Sequence, residues 1–387
     1  MYNILKLNKI SSCGTDMLNG EKFSCSDEVK NPDAILVRSA KMHDFELPEN
    51  LLAIARAGAG VNNIPVEKCI ENGVVVFNTP GANANAVKEL IMCMLFLTSR
   101  KIIPGIEFAK SLAGKGDEIP KLIEKGKAAF VGPEIKGKTL GVIGLGAIGA
   151  SVANAAIDLG MNVRGYDPFL SIDAAWNLNT SIIHSTTLDD IFENSDYITL
   201  HLPATADTKN MINSESIAKM KDNVRLLNFS RDDLVSTDDV VEGLSNGKIA
   251  AYATDFVNEQ LLATSGVIPV PHLGASTPES EDNCAKMAVS QLIDYIENGN
   301  IRNSVNMPTS IMDRTAPVRV CAIHKNIPTM ISKITQPFTD AGININDLLN
   351  RSKGNFAYTM VDVESVTDEL IDTINNIDGI IRVRVLK

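Results

Sequence analysis

No stretch of this sequence could cross a bilayer: its longest apolar run, Leu90 to Leu97, falls far short of the ~18 residues required. The N-terminus, MYNILKLNKI, alternates apolar and polar residues as a strand does and lacks the apolar h-region of a signal peptide. Cysteine is sparse. Six are scattered at positions 13, 25, 69, 93, 284 and 321, with no CxxC pair and no Cys/His cluster at ligand spacing. Neither a disulfide framework nor a structural metal is expected, and reduced thiols suit the cytoplasm. Positive charge is also short: 36 Lys plus Arg against 47 Asp plus Glu leaves a formal charge of −11. With no local basic patch, an acidic chain repels a phosphate backbone, which excludes nucleic acid as the partner. An apolar content of 44% and 21% charged residues exclude long disorder, collagen-like repeats and a coiled-coil rod. The length is ample: at roughly 150 residues per domain, 387 residues suggest two or three domains.

Short β-branched runs alternate with helix-like stretches as far as residue 300. They include AILVRS (34–39), GVVVFNT (73–79), TLGVIGLG (139–146), MNVRGYD (161–167), YITLHLP (197–203) and VRLLNFS (224–230). Runs without period-two alternation suit parallel strands buried on both faces, and helical crossovers between them make the fold α/β and doubly wound. A helix is expected from Ala86 to about Ala109, followed by a Lys- and Gly-rich hinge or surface connection over 110–138. A second helix, Ser280 to Glu297, has Gly299 as its C-cap. Residues 301–316 read as a linker. Beyond them, 317–387 gives strand, helix (Asn326 as cap, Pro328 in the first turn), two strands about a turn at Lys353-Gly354-Asn355, helix (Thr367 to Ile377) and strand. That order is ferredoxin-like.

The sharpest motif is Gly144-Leu145-Gly146-Ala147-Ile148-Gly149, set between a strand and an amphipathic helix, with Asp167 ending the next strand. The first glycine permits the turn, the second lets a pyrophosphate approach the backbone, and the third lets helix pack on strand. The helix N-terminus offers free N–H groups to the phosphates. Asp167 would bind the adenosine ribose and repel a 2′-phosphate, so the expected cofactor is NAD. Arg164 could favour the phosphate but lies within the strand.

These residues, followed by His201-Leu202-Pro203, Asn228-Phe229-Ser230-Arg231 and Pro271-His272-Leu273-Gly274-Ala275-Ser276-Thr277, resemble the D-isomer-specific 2-hydroxyacid dehydrogenases. The GAST ending, with a C-terminal unit similar to an ACT domain, narrows the resemblance to the branch acting on D-3-phosphoglycerate. The resemblance implies two Rossmann-like, doubly wound parallel-sheet domains and a ferredoxin-like ACT domain. Residues 1–95 with 275–300 would form a discontinuous substrate domain, 96–274 the NAD domain, 301–316 the linker and 317–387 the ACT domain. It also implies NAD-dependent oxidation of a small phosphorylated 2-hydroxy acid, a cytoplasmic homodimer or homotetramer, and no nucleic-acid or membrane partner. A hydroxypyruvate or glyoxylate reductase, and an NAD- and amino-acid-sensing protein with weakened catalysis, are the alternatives.

Hydride transfer from a 2-hydroxy acid needs a base of near-neutral pKa and a cation for the carboxylate. By resemblance His272 is the acid/base and Arg231 the substrate arginine. His201, Leu202, Pro203, Thr205, Ser230, Asp255 and Gly274 would line the cofactor site. The family's glutamate, five residues after the nicotinamide-facing aspartate, falls on Gln260 here, with Glu259 one residue early, so either could orient His272. Asp232-Asp233 replace the residues usual after the arginine, and two negative charges there suit anion binding only if they face solvent. The loop Arg56-Ala57-Gly58-Ala59-Gly60-Val61 ends a strand-like run. By resemblance the N–H groups of Gly58, Ala59, Gly60 and Val61 hold the substrate carboxylate, while Arg38-Ser39 and Arg56 would meet a distal phosphate. His324, Asn326 and Asn344 match positions through which ACT domains bind L-serine as an effector across a domain interface. Thr329 replaces the family's glycine after the proline.

Overall fold

In the computed structural model, which describes residues 1–18 and 20–387, the chain divides into two compact units: 1–83 with 278–387, and 84–277. The first unit opens with a five-stranded sheet in which all pairings are parallel. Its strands are Tyr2–Lys6, Phe23–Ser26, Ala34–Val37, Ala53–Arg56 and Val75–Phe77, ordered second, first, third, fourth, fifth. Ala34–Val37 and Val75–Phe77 are buried throughout, as expected for strands covered on both faces. The helix Pro278–Asn298 packs Ala285, Ala288, Leu292 and Tyr295 into the same core.

The second unit holds a seven-stranded parallel sheet. Numbered in chain order from Thr139–Ile143, its strands run 7-6-5-4-1-2-3, the doubly wound dinucleotide order with one strand added at the edge. The helix Ala84–Ser99 belongs here, so the boundary expected at residue 95 divides a helix. Val87, Ile91, Met94 and Leu95 share a core with Val152, Ala153 and Ala156 of the helix Ala147–Asp158. The single helix expected from 86 to 109 is two, Ala84–Ser99 and Ile102–Ser111. The segment expected as a connection over 110–138 carries the short helices Gly116–Glu118, Ile119–Gly126 and Lys127–Phe130, none with a buried residue.

Residues 317–387 fold as expected into four antiparallel strands, Val318–Lys325, Ile345–Lys353, Phe356–Val363 and Ile380–Leu386, in the order 2-3-1-4, with helices Met330–Asp340 and Asp368–Asn375. Asn326 is not the helix cap. Thr329 takes that place, at φ +68°, a left-handed conformation that a β-branched residue rarely adopts. The expected linker is part of the fold. Buried Asn306 accepts from Val76 N–H at 2.9 Å and donates to Val74 C=O at 2.9 Å, tying 301–316 to the edge of the parallel sheet.

Candidate active site

The glycine turn of the second unit is built by exclusion. Gly144 sits at φ +91°, where a Cβ would come within 2.5 Å of the His201 carbonyl oxygen. At Gly149 a Cβ would lie 1.9 Å from the Gly144 carbonyl oxygen, while at Gly146 it would meet nothing within 4 Å. Two glycines thus allow the turn to close, and the third leaves its outer face open at the start of the helix Ala147–Asp158. Ala147 and Ile148 form the first turn of that helix. Asp167 braces the loop from the next strand end, accepting from Leu145 N–H at 2.8 Å and Phe169 N–H at 2.9 Å. Arg164 is engaged by Asp190 through two contacts, at 2.8 and 3.1 Å, and so is committed within the fold.

His201 follows the strand Tyr197–Leu200, with Nε2 3.0 Å from Thr199 Oγ1. Burial pushes its pKa down to about 3, which keeps it neutral and fits a wall residue rather than an acid/base. In the next loop Thr208 Oγ1 donates to Pro203 C=O and accepts from Thr205 N–H, both at 2.8 Å, which fixes the run from Leu202 to Thr205. Ser230 Oγ donates to Leu200 C=O at 2.7 Å, joining two strand ends. Gly274 lies close to Val87, whose Cγ2 would be 3.3 Å from an added Cβ.

Arg231 follows the strand Val224–Asn228. Buried Asn228 shapes the bend, donating to Arg231 C=O at 2.9 Å and accepting from Ser230 N–H at 3.2 Å. Arg231 is exposed and donates through one guanidinium nitrogen to Ser230 C=O at 2.6 Å. Asp232 and Asp233 are exposed in a short 3-10 turn and form no ion pair with Arg231 among the described residues.

The partner of His272 differs from the expectation. His272 Nδ1 donates to Asp255 Oδ2 at 2.9 Å; the carboxylate is 1% exposed and the imidazole 63%. Neither Glu259 nor Gln260 orients the histidine. Asn258 accepts from Leu261 N–H and starts the short helix Glu259–Leu262, which leaves both side chains exposed, with Gln260 Nε2 donating to Asp238 at 3.0 Å. The hydrogen bond to Asp255 raises the His272 pKa above its ordinary value, against partial burial and the Arg231 charge. Asp255 therefore does what was expected of a residue further along. Sequence spacing carried no sign of it, since the pairing depends on where two loops end. Asp255 Oδ1 is buried and accepts no hydrogen bond among the described residues. A buried carboxylate oxygen wants a donor, and the amide of a nicotinamide is one, so the residues present fit NAD. Among the described residues no three His, Cys, Asp or Glu side chains are grouped to hold a metal ion.

In the first unit the candidate substrate residues cluster where parallel strands end. Asn8, which sequence reading missed, accepts through Oδ1 from three successive N–H groups, those of Arg38, Ser39 and Ala40, at 3.1, 3.0 and 2.9 Å. Arg56 donates to Arg38 C=O at 3.0 Å and to Gly60 C=O, lying across its own loop. The glycines make room for it: a Cβ on Gly58 or Gly60 would come 3.1 or 3.3 Å from the guanidinium. Ala59 is held by Asn78, and Gly58 C=O accepts from Thr79 N–H. Arg56 thus shapes the loop Gly58–Val61, while Arg38 reaches outward to Glu281 at 2.8 Å.

The three candidate effector residues are not brought together within one chain. His324 is buried, donating from Nδ1 to Lys325 C=O at 2.8 Å, with Nε2 2.9 Å from Thr359 Oγ1. Both ring nitrogens are used inside the sheet. Asn326 joins the hairpin tip through Gly354 C=O at 3.1 Å. Asn344 precedes Ile345, which pairs with Val363, whereas Lys325 pairs with Phe356 at the other end of the sheet.

Residues 94–275 match the family described as D-isomer specific 2-hydroxyacid dehydrogenase, NAD binding domain. The chain is 31% identical over 376 residues to D-3-phosphoglycerate dehydrogenase of Bacillus subtilis, covering 92% of this chain and 69% of that protein. It is 37% identical over 273 residues to hydroxypyruvate reductase of Thermotoga maritima, covering 67% of this chain and 84% of that protein. Of three further D-3-phosphoglycerate dehydrogenases it spans 60%, 59% and 53%. Among solved structures, NAD+-bound 3-phosphoglycerate dehydrogenase of Entamoeba histolytica superposes with a TM-score of 0.61 at 25% identity, covering 79% of this chain and 98% of that one.

Proposed function

The chain belongs to the D-isomer-specific 2-hydroxyacid dehydrogenases, and from that premise we propose that it oxidises D-3-phosphoglycerate to 3-phosphohydroxypyruvate with NAD. The observation that carries the reading is the His272–Asp255 pair, with the Arg231 charge acting on the same imidazole. Gly144, Gly146, Ala147, Ile148 and Gly149 would hold the pyrophosphate, Asp167 the ribose and Asp255 Oδ1 the carboxamide. Bound NAD supplies the hydride acceptor. Asp255 fixes the tautomer of His272 with the proton on Nδ1, leaving Nε2 to take the substrate hydroxyl proton. Arg231 grips the substrate carboxylate, and its planar fork also polarises the carbonyl in the reverse reaction. In the first unit, the loop Gly58–Val61 would add backbone donors and Arg38-Ser39 a charge for the phosphate.

A second reading, reduction of unphosphorylated hydroxypyruvate, is favoured by one observation: Arg38 is already paired with Glu281. NADH oxidation measured with 3-phosphohydroxypyruvate and with hydroxypyruvate separates the two. Preferred turnover of the phosphorylated acid supports the first reading and the reverse preference the second. NADH binding without turnover of either would leave a sensing protein.

We assign residues 317–387 to an ACT-type regulatory unit on its strand order. With Asn344 at the far end of the sheet from Asn326, an L-serine site made of all three residues needs a second copy of the chain. The helix Ile102–Ser111 buries none of its residues and leaves Ile102, Ile103 and Ile106 exposed, so it lacks the packing that stabilises short helices. A second protomer would supply that packing, giving a homodimer. No helix among the described residues is long and apolar enough to cross a membrane, and the proposed location is the cytoplasm.

A further inference from the structure

We propose that Glu281 is a specificity-determining residue: it occupies Arg38 as an internal substitute for the substrate's distal anion, and so sets how strongly a phosphorylated acid is preferred over its unphosphorylated counterpart. This rests on the functional reading above.

Arg38 is held on three sides. Its N–H is bound by Asn8 Oδ1, its C=O accepts from Arg56 Nε, and its guanidinium meets Glu281 Oε1 at 2.8 Å. Glu281 lies in the first turn of the 21-residue helix Pro278–Asn298, where an anion is favoured by the helix dipole. Next to it, Asp282 accepts from Ser11 Oγ, a bond that holds its carboxyl below the usual range. The Arg38 charge is therefore matched by that on Glu281. A hydroxymethyl group leaves that balance as it is. A phosphate dianion adds two negative charges, and must also displace Glu281 to reach the guanidinium.

Displacement is feasible. The paired side chains are 40% and 44% exposed, and such exposed pairs contribute little, whereas an arginine–phosphate contact is bidentate and charge-assisted. Glu281 therefore tunes phosphate preference without abolishing it. The pair is not needed to shape the Arg38 loop, which is already fixed by Asn8 and Arg56.

The test compares wild type with Glu281→Gln, which keeps the shape and removes the charge. The readout is the ratio of kcat/KM for 3-phosphohydroxypyruvate to that for hydroxypyruvate. The expected ratio rises about fivefold, the upper range for an exposed pair, through a lower KM for the phosphorylated acid at constant kcat. In an Arg38→Met background the same substitution leaves the ratio where Arg38→Met alone put it. An unchanged ratio in the single variant, or an equal rise in the double, overturns the proposal. Should wild type turn over neither acid, the functional reading fails separately. The proposal is then decided by calorimetric binding of 3-phosphoglycerate and glycerate to the same proteins, where Glu281→Gln tightens only the former if it is right and neither or both if it is wrong. Circular dichroism and melting confirm that each variant is folded.

Discussion

Replacing Asp255 by Asn removes the negative charge behind His272 while keeping the shape of the side chain. The wild-type carboxylate is 1% exposed and 2.9 Å from Nδ1, so it both fixes the imidazole tautomer and favours the protonated ring. An amide in its place can turn its NH2 toward Nδ1, which puts the ring proton on Nε2, where the base is needed. A positioned general acid/base contributes about 10²–10⁴-fold, so the expected loss in kcat is of that order, or about 3–5 kcal/mol of barrier. The stability cost should be far smaller, about 1 kcal/mol, because the histidine is mostly in water and Asp255 Oδ1 accepts nothing among the described residues. Activity and melting temperature should therefore part company. The pH profiles carry the second half of the test. Asp255 raises the His272 pKa, so its removal lowers it. In the proposed reaction, keto-acid reduction uses protonated His272 and fades as pH rises through that pKa, so its falling limb moves to lower pH. Oxidation uses the neutral ring, and its rising limb moves the same way. Gln260→Glu, whose position faces Asp238, should keep the wild-type profile. A loss below tenfold with superimposable profiles in Asp255→Asn, or a shifted profile in Gln260→Glu, would refute the pairing.

Gly149→Ala places a methyl 1.9 Å from the Gly144 carbonyl oxygen and 3.3 Å from His201 Cβ. Overpacking of this kind costs about 1–3 kcal/mol, and relief by moving the helix off the turn should weaken NADH about ten- to a hundredfold in a fluorescence titration; wild-type affinity would show that the turn is not where the phosphates bind. Arg319→Met leaves Asp362 buried without its partner, the two side chains being fully enclosed with Nε and Oδ1 at 2.6 Å. Loss of one member of such a pair costs about 3–5 kcal/mol, read by denaturant unfolding, and a loss below 1 kcal/mol would refute it. Burial pushes the Asp362 carboxyl up, but the bonds from Arg319 and Thr315 outweigh it and hold the pKa below the ordinary 3.8. Its contribution is accordingly present above about pH 4 and lost as pH falls through the depressed value, an acid sensitivity that Asp362→Asn should lack.

The parallel sheets were legible through strands such as Ala34–Val37, Val75–Phe77 and Tyr197–Leu200, which are buried on both faces, and the glycine turn because its backbone admits no other residue at two positions. Local chemistry of that kind leaves a mark in sequence. The errors arose where distant partners decided the outcome. The Lys- and Gly-rich stretch after residue 110 carries short helices that bury none of their residues, so its composition hid them. Residues 301–316 lack periodicity because Asn306 and Ser304 replace it with hydrogen bonds to the strand Val75–Phe77 and the residue before it. His272 was recognisable from its neighbours, but its partner was not, because the short helix begun at Asn258 carries Glu259 and Gln260 to the surface. Asn8 had no local signal at all, since the N–H groups it gathers lie 30 residues away.

The C-terminal sheet illustrates the same point on a larger scale. It was expected to hang from a linker, yet it is fastened to the rest of its unit by arginines donating to backbone carbonyls. Arg384 reaches Tyr295 and Ile296 at 3.2 and 2.9 Å and stacks on the Tyr295 ring at 4.5 Å. Arg319 reaches Asn298 at 2.8 Å, and Arg382 reaches Glu49 and Asn72 at 2.9 and 3.0 Å. Three of these carbonyls close the helix Pro278–Asn298, where cations are favoured by the dipole. The first turn of that helix, about 25 Å away at 1.5 Å per residue, carries Glu281. A single continuous helix thus joins the sheet at one end to the Arg38 pair at the other. The sheet is therefore held to its unit at three carbonyls of the helix end as well as through residues 301–316.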